Sequence, residues 1–332
     1  MTMCCTAKSD LKFGAVVIGR NEGDRLKRCL QSLSEAAVAI YVDSGSNDGS
    51  VQHARDLGVI VIELDSELPF TAARARNAGF KRLREKAPDL CYVQFVDGDC
   101  EVQQGWHQHA LSFLESHEDV AVACGRRRER YPERSVYNRL CDQEWDGPVG
   151  AVRACGGDAM MRVTAVDTVG GYRNNLIAGE EPELCIRLRA AGWRIWRMPV
   201  EMTLHDAAMR QFGQWWRRAT RAGYAFAQGS YLHGAPPERH WVWESRRAWL
   251  WGIWLPLGCL AFGLTFEPWG WAVWLIYPLQ MVRQTVRNTG PLSHRVTLAL
   301  FQVLARFPES WGQIKFMWDR LLGQQAHLIE YK

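Results

Sequence analysis

The first half of the chain alternates short apolar runs with amphipathic stretches. Runs rich in Val, Ile and Ala predict strands at Ala15–Gly19, Ala39–Asp43, Val59–Leu64 and Cys91–Val96. Apolar residues at helical spacing predict helices over Asn21–Ser34, before Gly58, and over Thr71–Lys86. The strand runs are continuous rather than alternating, as in strands buried on both faces. This alternation predicts an α/β fold with right-handed crossovers and a mainly parallel sheet flanked by helices.

The pattern from Ala151 to Pro199 is mixed α+β. One helix is predicted over Pro182–Ala191, with Pro at its first turn and Gly192 after its last residue. The two residues directly before this helix, Glu180 and Glu181, are acidic.

The C-terminal part has a different character. Two stretches without charge, Ala248–Leu264 and Pro268–Val282, are separated by only three residues. Each lies at or below the roughly 17–25 residues of a spanning helix. Arg246 and Arg247 precede the pair and Arg283 follows it, which predicts a hydrophobic helical hairpin with both ends on the cytoplasmic side. A helical pair lying on the membrane surface, or buried in the protein, also fits these lengths.

Composition supports a membrane but not nucleic acid. The chain has 332 residues and a formal net charge of +4, from 40 basic and 36 acidic residues, which is too balanced for a nucleic-acid binder. Ten cysteines occur without a CxxC pair, which argues against a zinc module. Of 16 tryptophans, most follow Trp193. Tryptophan favours the membrane–water interface, so we expect contact with membrane lipid.

Polar clusters follow three of the predicted strands. They are Arg20, Asn21 and Glu22; Asp43, Ser44 and Ser46; and Asp97, Gly98 and Asp99. In an open α/β sheet, ligands bind at the carboxyl ends of the strands, so these clusters mark a candidate binding edge. Two carboxylates separated by one glycine can converge on a hard divalent cation that also bridges phosphates. An ordinary Asp-Gly turn fits Asp97 to Asp99 as well.

Five stretches together resemble the family 2 glycosyltransferases of the GT-A fold. They are VVIGRNE (16–22), YVDSGSNDGS (41–50), AARARNAG (72–79), FVDGD (95–99) and GEEPELCIRLRAAGW (179–193). They occur in the family's usual order over about residues 13–205. The resemblance implies a GT-A domain over residues 11–205, followed by amphipathic connecting helices over 206–244 and the membrane-associated hairpin and tail over 245–332.

The resemblance also implies a donor site. Asp43 is expected to contact the nucleobase or ribose, with Asn21 and Glu22 lining the same pocket. Arg76 and Asn77 are expected to face the donor diphosphate at the start of a helix, where the positive helix end favours anions. A solvated basic helix face is the alternative for the arginine.

A metal site follows from the same resemblance. Asp99 is the expected direct ligand of Mg²⁺ or Mn²⁺, with Asp97 assisting, and His205 resembles the family's late metal ligand. A single histidine is more often structural, which is the alternative for His205. Such a cation neutralises charge that develops on the leaving nucleotide.

Glu181 stands where the family places its general base, although Asp is usual there. A base at this position removes the proton of the acceptor hydroxyl as that hydroxyl attacks the anomeric carbon, giving inversion in one displacement. The alternative is that the acidic residues only complement the N-terminal end of the following helix.

The sequence therefore predicts a metal-dependent inverting glycosyltransferase on the cytoplasmic face of the inner (plasma) membrane. Its expected partners are a nucleotide-diphosphate sugar and a lipid-linked or polysaccharide acceptor, in cell-surface polysaccharide or glycolipid synthesis. A nucleotidyltransferase acting on a sugar phosphate is one alternative, although GRNEGDR (19–25) is a poor phosphate loop. A catalytically silent membrane scaffold is the other.

Overall fold

The computed structural model describes residues 12–323 of the chain. The chain divides into two compact units, Met1–Arg210 and Gln211–Lys332, and each is described by itself.

The first unit is built on a sheet of nine strands within its described residues. They are β1 Phe13–Gly19, β2 Val38–Asp43, β3 Ile60–Glu63, β4 Tyr92–Asp97, β5 Cys100–Val102, β6 Val120–Glu129, β7 Gly150–Val152, β8 Ala159–Arg162 and β9 Arg194–His205. Their order is β3-β2-β1-β4-β8-β6-β9-β5, with β7 paired to β9. The first four strands run parallel, which confirms the predicted α/β fold with its parallel sheet.

Helices connect these strands and cover the sheet. They are α1 Asp24–Gln31, α2 Ser50–Asp56, α3 Ala72–Lys86, α4 Trp106–Ser116, α5 Val136–Glu144, α6 Val163–Thr168 and α7 Glu180–Ala190, with a short 3₁₀ helix at Pro132–Arg134. The helix predicted over Pro182–Ala191 thus begins two residues earlier, at Glu180. Its acidic residues lie inside the first turn, where negative charge complements the helix dipole.

Close packing explains the sequence of β1 and α3. Val16 and Val17 are fully buried, so this strand is apolar at consecutive positions. A Cβ on Gly79 of α3 would lie 2.4 Å from a methyl carbon of Val16, so only glycine lets the helix approach this strand so closely. Thr71 caps α3 by accepting a hydrogen bond from the backbone N–H of Arg74 at 3.1 Å.

Beyond β4 the sheet becomes mixed, and this positions the site. β8 runs antiparallel to β4 and β6, and β5 runs antiparallel to β9. The β5–β9 register pairs Cys100 with His205, and the parallel β6–β9 register pairs Glu129 with the same histidine. The mixed pairing therefore brings the end of β9 beside the residues that follow β4.

The second unit is helical over its described residues. Its helices are α8 Phe212–His233, α9 Val242–Trp249, α10 Leu255–Thr265, α11 Ile276–Arg287, α12 Leu292–Leu304 and α13 Arg306–Leu321. A π-helical segment, Leu250–Trp254, joins α9 to α10, and a 3₁₀ helix, Trp269–Leu275, precedes α11. A Cβ on Gly223 of α8 would meet the backbone of Glu309, so α8 and α13 pack backbone to backbone.

The predicted hydrophobic helical hairpin is present in this unit. The arms meet at Gly263, where a Cβ would lie 2.6 Å from the Trp271 ring, and the Tyr277 hydroxyl donates a hydrogen bond to the Trp251 carbonyl at 2.7 Å. The first arm continues α9, so that Val242–Thr265 forms one helix of 24 residues. By length and composition, it is the one helix in the described part of the chain that could cross a membrane.

Candidate active site

The carboxylates of Asp97 and Asp99, on either side of the turn after β4, have different neighbours. The Gly98 N–H donates to the Ile18 carbonyl at 2.8 Å, and a Cβ on Gly98 would lie 3.1 Å from that oxygen. Glycine therefore holds the turn against β1. Asp97 and Asp99 belong to two adjacent groups of possible metal-binding atoms, which share the Cys100 thiol.

Asp99 pairs with His205, as the β5–β9 register requires. His205 Nε2 lies 3.1 Å from Asp99 Oδ2, and both residues are buried. Burial lowers the pKa of His205, which favours the neutral imidazole that metals bind. The structure thus brings together two residues, 106 positions apart in the chain, that the sequence nominated for one metal.

Glu129 lies behind His205 and was not nominated from the sequence. This buried carboxylate accepts hydrogen bonds from the backbone N–H of Tyr131, the Asn138 amide and the backbone N–H of Ala207. Its Oε2 is 3.8 Å from His205 Nδ1, a buried nitrogen with no hydrogen-bond partner among the described residues. An acid in this place favours the tautomer that carries its proton on Nδ1 and leaves Nε2 free.

Two arginines hold Asp97. Arg76 donates to Asp97 Oδ1 and Arg127 donates to Asp97 Oδ2, each at 2.8 Å. Although burial acts in the opposite direction, the two guanidinium groups hold the pKa of Asp97 well below its usual range. A Cβ on Gly157 would lie 2.6 Å from Asp97 Oδ2, so the neighbouring loop must carry glycine there.

Arg127 and Asp158 form a buried pair beside this carboxylate. Arg127 Nε donates to Asp158 Oδ2 at 2.9 Å, and the guanidinium lies 5.3 Å from the Trp145 ring centroid. Asp158 also accepts from the Asp97 backbone N–H and the Thr203 hydroxyl. Neither residue is among the site residues predicted from the sequence, where the arginine run 126–128 is interpreted only as solvated or phosphate-facing. The one available signal was the acid after Gly156 and Gly157.

Arg76 connects this edge of the sheet to the start of α7. Its guanidinium donates to Glu180 Oε1 at 2.8 Å and lies 2.9 Å from Glu181 Oε1, while it also contacts Asp97. Burial, together with the neighbouring charge of Glu180, raises the pKa of Glu181 to about 7, although Arg76 acts against this rise. A carboxylate with this pKa is suited to accept a proton near neutral pH.

The predicted donor residues after β1 and β2 form a joined pair of loops. Asp43 accepts hydrogen bonds from the Tyr41 hydroxyl and from the backbone N–H groups of Gly45 and Ser46. Asn21, whose φ is +56°, accepts from the Asn47 N–H at 2.8 Å. The Asn21 contact joins the loop after β1 to the loop after β2.

Glu22 and Asn77 have local partners. Glu22 Oε2 lies 2.8 Å from an Arg25 nitrogen. The Asn77 side chain donates to the Tyr172 carbonyl and accepts from the Tyr172 N–H, so both ends of its amide bind the loop before α7. The donor contacts of both residues stay predictions.

A cavity of about 520 Å³ opens beside the buried groups. It is lined by residues of β6, β7 and β9, by the segment that follows α5 and by the loop before β8, including Arg127, Trp145, Cys155, Gly156 and Asp158. This volume falls within the range of small-molecule sites. The cavity therefore gives a bound molecule direct access to the arginine that holds Asp97.

Comparison with known proteins identifies the class. Residues 15–164 match the model of the family described as glycosyl transferase family 2. The chain is similar to glycosyltransferase AglE of Haloferax volcanii, with 22% identity over 330 residues, 93% of this chain and 97% of AglE. It is also similar to the succinoglycan biosynthesis protein ExoA of Rhizobium meliloti, with 26% identity over 190 residues, 53% of this chain and 57% of ExoA.

Solved structures share the fold. The mannosyltransferase PcManGT from Pyrobaculum calidifontis, in complex with GDP-Man and Mn²⁺, aligns with a TM-score of 0.58 and 14% identity over 93% of this chain and 88% of that chain. Residues 1–349 of S. aureus TarS, in complex with UDP-GlcNAc, align with a TM-score of 0.52 and 13% identity over 94% and 92%. Fold and family match together define a glycosyltransferase with a GT-A fold. The match over residues 15–164 and the two relatives support a family 2 glycosyltransferase.

Proposed function

We propose that this glycosyltransferase moves a sugar from a nucleotide-diphosphate sugar to an acceptor hydroxyl with inversion, using Glu181 as base and Mg²⁺ or Mn²⁺ as cofactor. One observation carries the proposal. The Arg76 guanidinium touches Asp97 at the expected donor side and Glu181 at the expected acceptor side. The residues predicted to act on the two substrates are therefore neighbours.

The donor atoms beside Asp99 fit a hard divalent cation. A carboxylate oxygen and a neutral imidazole nitrogen face each other at 3.1 Å, with Asp97 in the adjacent group. The carboxylate oxygens match the hard oxygen ligands that Mg²⁺ or Mn²⁺ prefers. The cation would neutralise charge on the departing nucleoside diphosphate.

Glu181 performs the proton transfer in this proposal. Its carboxylate takes the proton of the acceptor hydroxyl while the hydroxyl oxygen bonds to the anomeric carbon. The bond from that carbon to the diphosphate oxygen breaks on the opposite face, and the electron pair leaves with the nucleoside diphosphate. Arg76 keeps Glu181 in place and offsets the charge of the surrounding acids.

The donor class is supported by the relatives and by the loops after β1 and β2. PcManGT was solved with GDP-Man and TarS with UDP-GlcNAc, which are both nucleotide-diphosphate sugars. Asp43 already accepts three hydrogen bonds, and a carboxylate has about four lone-pair sites. A fourth site remains for a base N–H or a ribose hydroxyl, which would have to reach a side chain that is itself buried.

The acceptor is proposed to be a lipid-linked or polysaccharide hydroxyl at the cytoplasmic face of the inner membrane. ExoA is named for succinoglycan biosynthesis, which is polysaccharide synthesis. The apolar helix Val242–Thr265 and its exposed tryptophans support attachment to lipid. No finding supports a nucleotidyltransferase or a silent scaffold.

A screen of nucleotide sugars with and without Mn²⁺ or Mg²⁺ tests the proposal. We expect wild type and Glu181→Gln to bind the same donor, while transfer by Glu181→Gln falls by about 10²- to 10⁴-fold. Asp99→Ala should lose the metal-dependent part of donor binding. Glu85→Gln, which breaks a surface ion pair with Arg82, is the matched control and should transfer normally. Donor binding that ignores both metals, or full transfer by Glu181→Gln, would overturn the mechanism.

A further inference from the structure

A second polar site lies among the helices of the second unit, far in sequence from the family motifs. It is a pocket of about 140 Å³ whose polar lining residues are Arg247, Gln280, Gln284, Gln302 and Arg306. Two guanidinium groups and three amides therefore face a small space, and no carboxylate lines it. Such a lining offers many N–H donors and a positive charge.

The two arginines differ in how far the protein satisfies them. Arg306 is bound, since it lies 2.5 Å from Glu309 Oε2 and donates to the Gln302 carbonyl at 3.1 Å. Arg247 Nε is a buried donor without a hydrogen-bond partner among the described residues. A buried donor left without a partner costs free energy, so an acceptor that enters this pocket gains a strong, charge-assisted hydrogen bond.

We propose that this pocket binds a phosphate group, and that the group belongs to a membrane phospholipid. Arginine forks and amide N–H groups match the oxygens of a phosphate, and 140 Å³ accommodates such a headgroup but not a glycan. The site goes beyond the sugar-transfer chemistry and does not use it.

The surroundings of the pocket support a lipid as the source. Leu279, Val282 and Val286 lie on the same helix as Gln280 and Gln284, and each is at least 60% exposed. Apolar side chains beside a phosphate-sized pocket suit a molecule with acyl chains below its headgroup.

The position of Arg247 gives a second, independent argument. It is the sixth residue of the apolar helix Val242–Thr265, and the uncharged run begins directly after it. At 1.5 Å per residue, Arg247 lies only about 8 Å from the start of that helix. A helix that enters the lipid from this end would carry its arginine at the level of the headgroups.

Vesicle binding by the full-length protein tests the proposal. The vesicles are phosphatidylcholine containing either phosphatidylglycerol or, at equal surface charge, oleic acid, which carries no phosphate. Arg247→Gln is compared with Arg246→Gln, an exposed neighbour that loses the same charge. On phosphatidylglycerol we expect Arg246→Gln to weaken binding by up to about fivefold through general electrostatics, and Arg247→Gln by at least about tenfold more. With oleic acid the two variants should differ little.

Two further measurements keep the outcomes distinct. Thermal unfolding confirms that each variant is folded, and Arg247→Lys, which keeps the charge but not the fork, should recover only part of the binding. Inorganic phosphate should raise the melting temperature of wild type more than that of Arg247→Gln. Phosphate could stabilise wild type more than Arg247→Gln while both glutamine variants bind vesicles equally. In that case the ligand is a soluble phosphate and the lipid assignment is wrong. If Arg247→Gln and Arg246→Gln show equal vesicle binding and equal melting-temperature shifts with phosphate, the proposed phosphate site is wrong. If the wild-type protein binds none of the vesicles, the proposed membrane attachment is wrong.

Discussion

In the first unit, charged side chains are buried at the carboxyl edge of the sheet, whereas in the second unit large apolar side chains are exposed along helices. Arg76 is 2% exposed and Asp158 is fully buried, while Trp254 is 61% and Trp269 is 84% exposed. Both distributions are opposite to the usual one, in which charges are solvated and large aromatics are covered. Each is costly for an isolated, soluble chain, so each marks a place where another molecule is expected.

The difference shows how the two kinds of site are maintained. Buried charges persist because each meets an opposite charge or a hydrogen-bond donor, as Arg127 and Asp158 do. Exposed tryptophans have no such internal compensation, and in the proposed attachment a lipid surface would provide it from outside. The first site should therefore fail when one internal partner is removed, and the second when its outer surface is changed.

Removal of the Arg76 guanidinium should have the largest effect on stability and activity. Arg76→Met removes the buried guanidinium that the carboxylates of Asp97, Glu180 and Glu181 share, so we expect the free energy of unfolding to fall by about 3–5 kcal/mol. Transfer activity should be lost as well. Chemical denaturation measures the first effect and a transfer assay the second.

The matched control lies two residues away. Arg74 binds only backbone carbonyls in its side-chain contacts, including those of Asp65 and Leu68, so Arg74→Met should cost about 1 kcal/mol or less. Equal losses for Arg74→Met and Arg76→Met would contradict the view that Arg76 is the counter-charge of the site.

Loss of the Glu129 carboxylate beside His205 should lower the affinity for the metal ion. Glu129→Gln removes the negative charge 3.8 Å from His205 Nδ1, and loss of such a partner typically weakens metal binding by about 10- to 100-fold. Titration with Mn²⁺ followed by electron paramagnetic resonance measures the dissociation constant directly. Glu133→Gln, at an exposed position of the following 3₁₀ helix, should leave it unchanged. An unaltered constant in Glu129→Gln would remove this role.

The pH profile should report the environment of Glu181. Because burial and Glu180 raise its pKa to about 7, and because the base must be ionised, kcat/KM should fall about tenfold per unit as the pH drops below 7. Above pH 7 the carboxylate is ionised and the profile should level off. Glu180→Gln removes a like charge, so the acidic limb should move to lower pH in that variant. A profile that is flat down to roughly pH 5 would show that the pKa of the base is not raised, since an unperturbed glutamate titrates near pH 4.3.

Sequence patterns predicted the parallel half of the sheet well, because its strands are buried on both faces and their polar ends stand out against apolar runs. Asp99 and His205 could be nominated because their residue types match a known metal-binding pattern. Their pairing depends on the antiparallel β5–β9 register, which joins Cys100 to His205 across more than a hundred residues. No local pattern encodes that register.

The charge partners were beyond sequence reasoning for a related reason. Arg127 lies in a run of three arginines on β6, and strand geometry places successive side chains on opposite faces. Arg127 is largely buried against Asp158, while Arg128 makes an exposed ion pair with Glu201. Only the three-dimensional structure shows which member of the run faces the site.

Substitution of the exposed tryptophans should have the smallest effect on the stability of the fold. It contrasts most clearly with substitution of the buried charges in the first unit. Trp254→Ser and Trp269→Ser change side chains that are mostly exposed, so the free energy of unfolding should change by no more than about 0.5 kcal/mol. Membrane-bound protein should nevertheless decrease in a vesicle flotation assay, because each substitution removes an interfacial anchor. Trp318→Ser is the control, since Trp318 is also 61% exposed but lies on α13, outside the hairpin. If Trp318→Ser releases the protein as strongly as the hairpin substitutions do, lipid contact extends along the whole second unit rather than being concentrated in the hairpin.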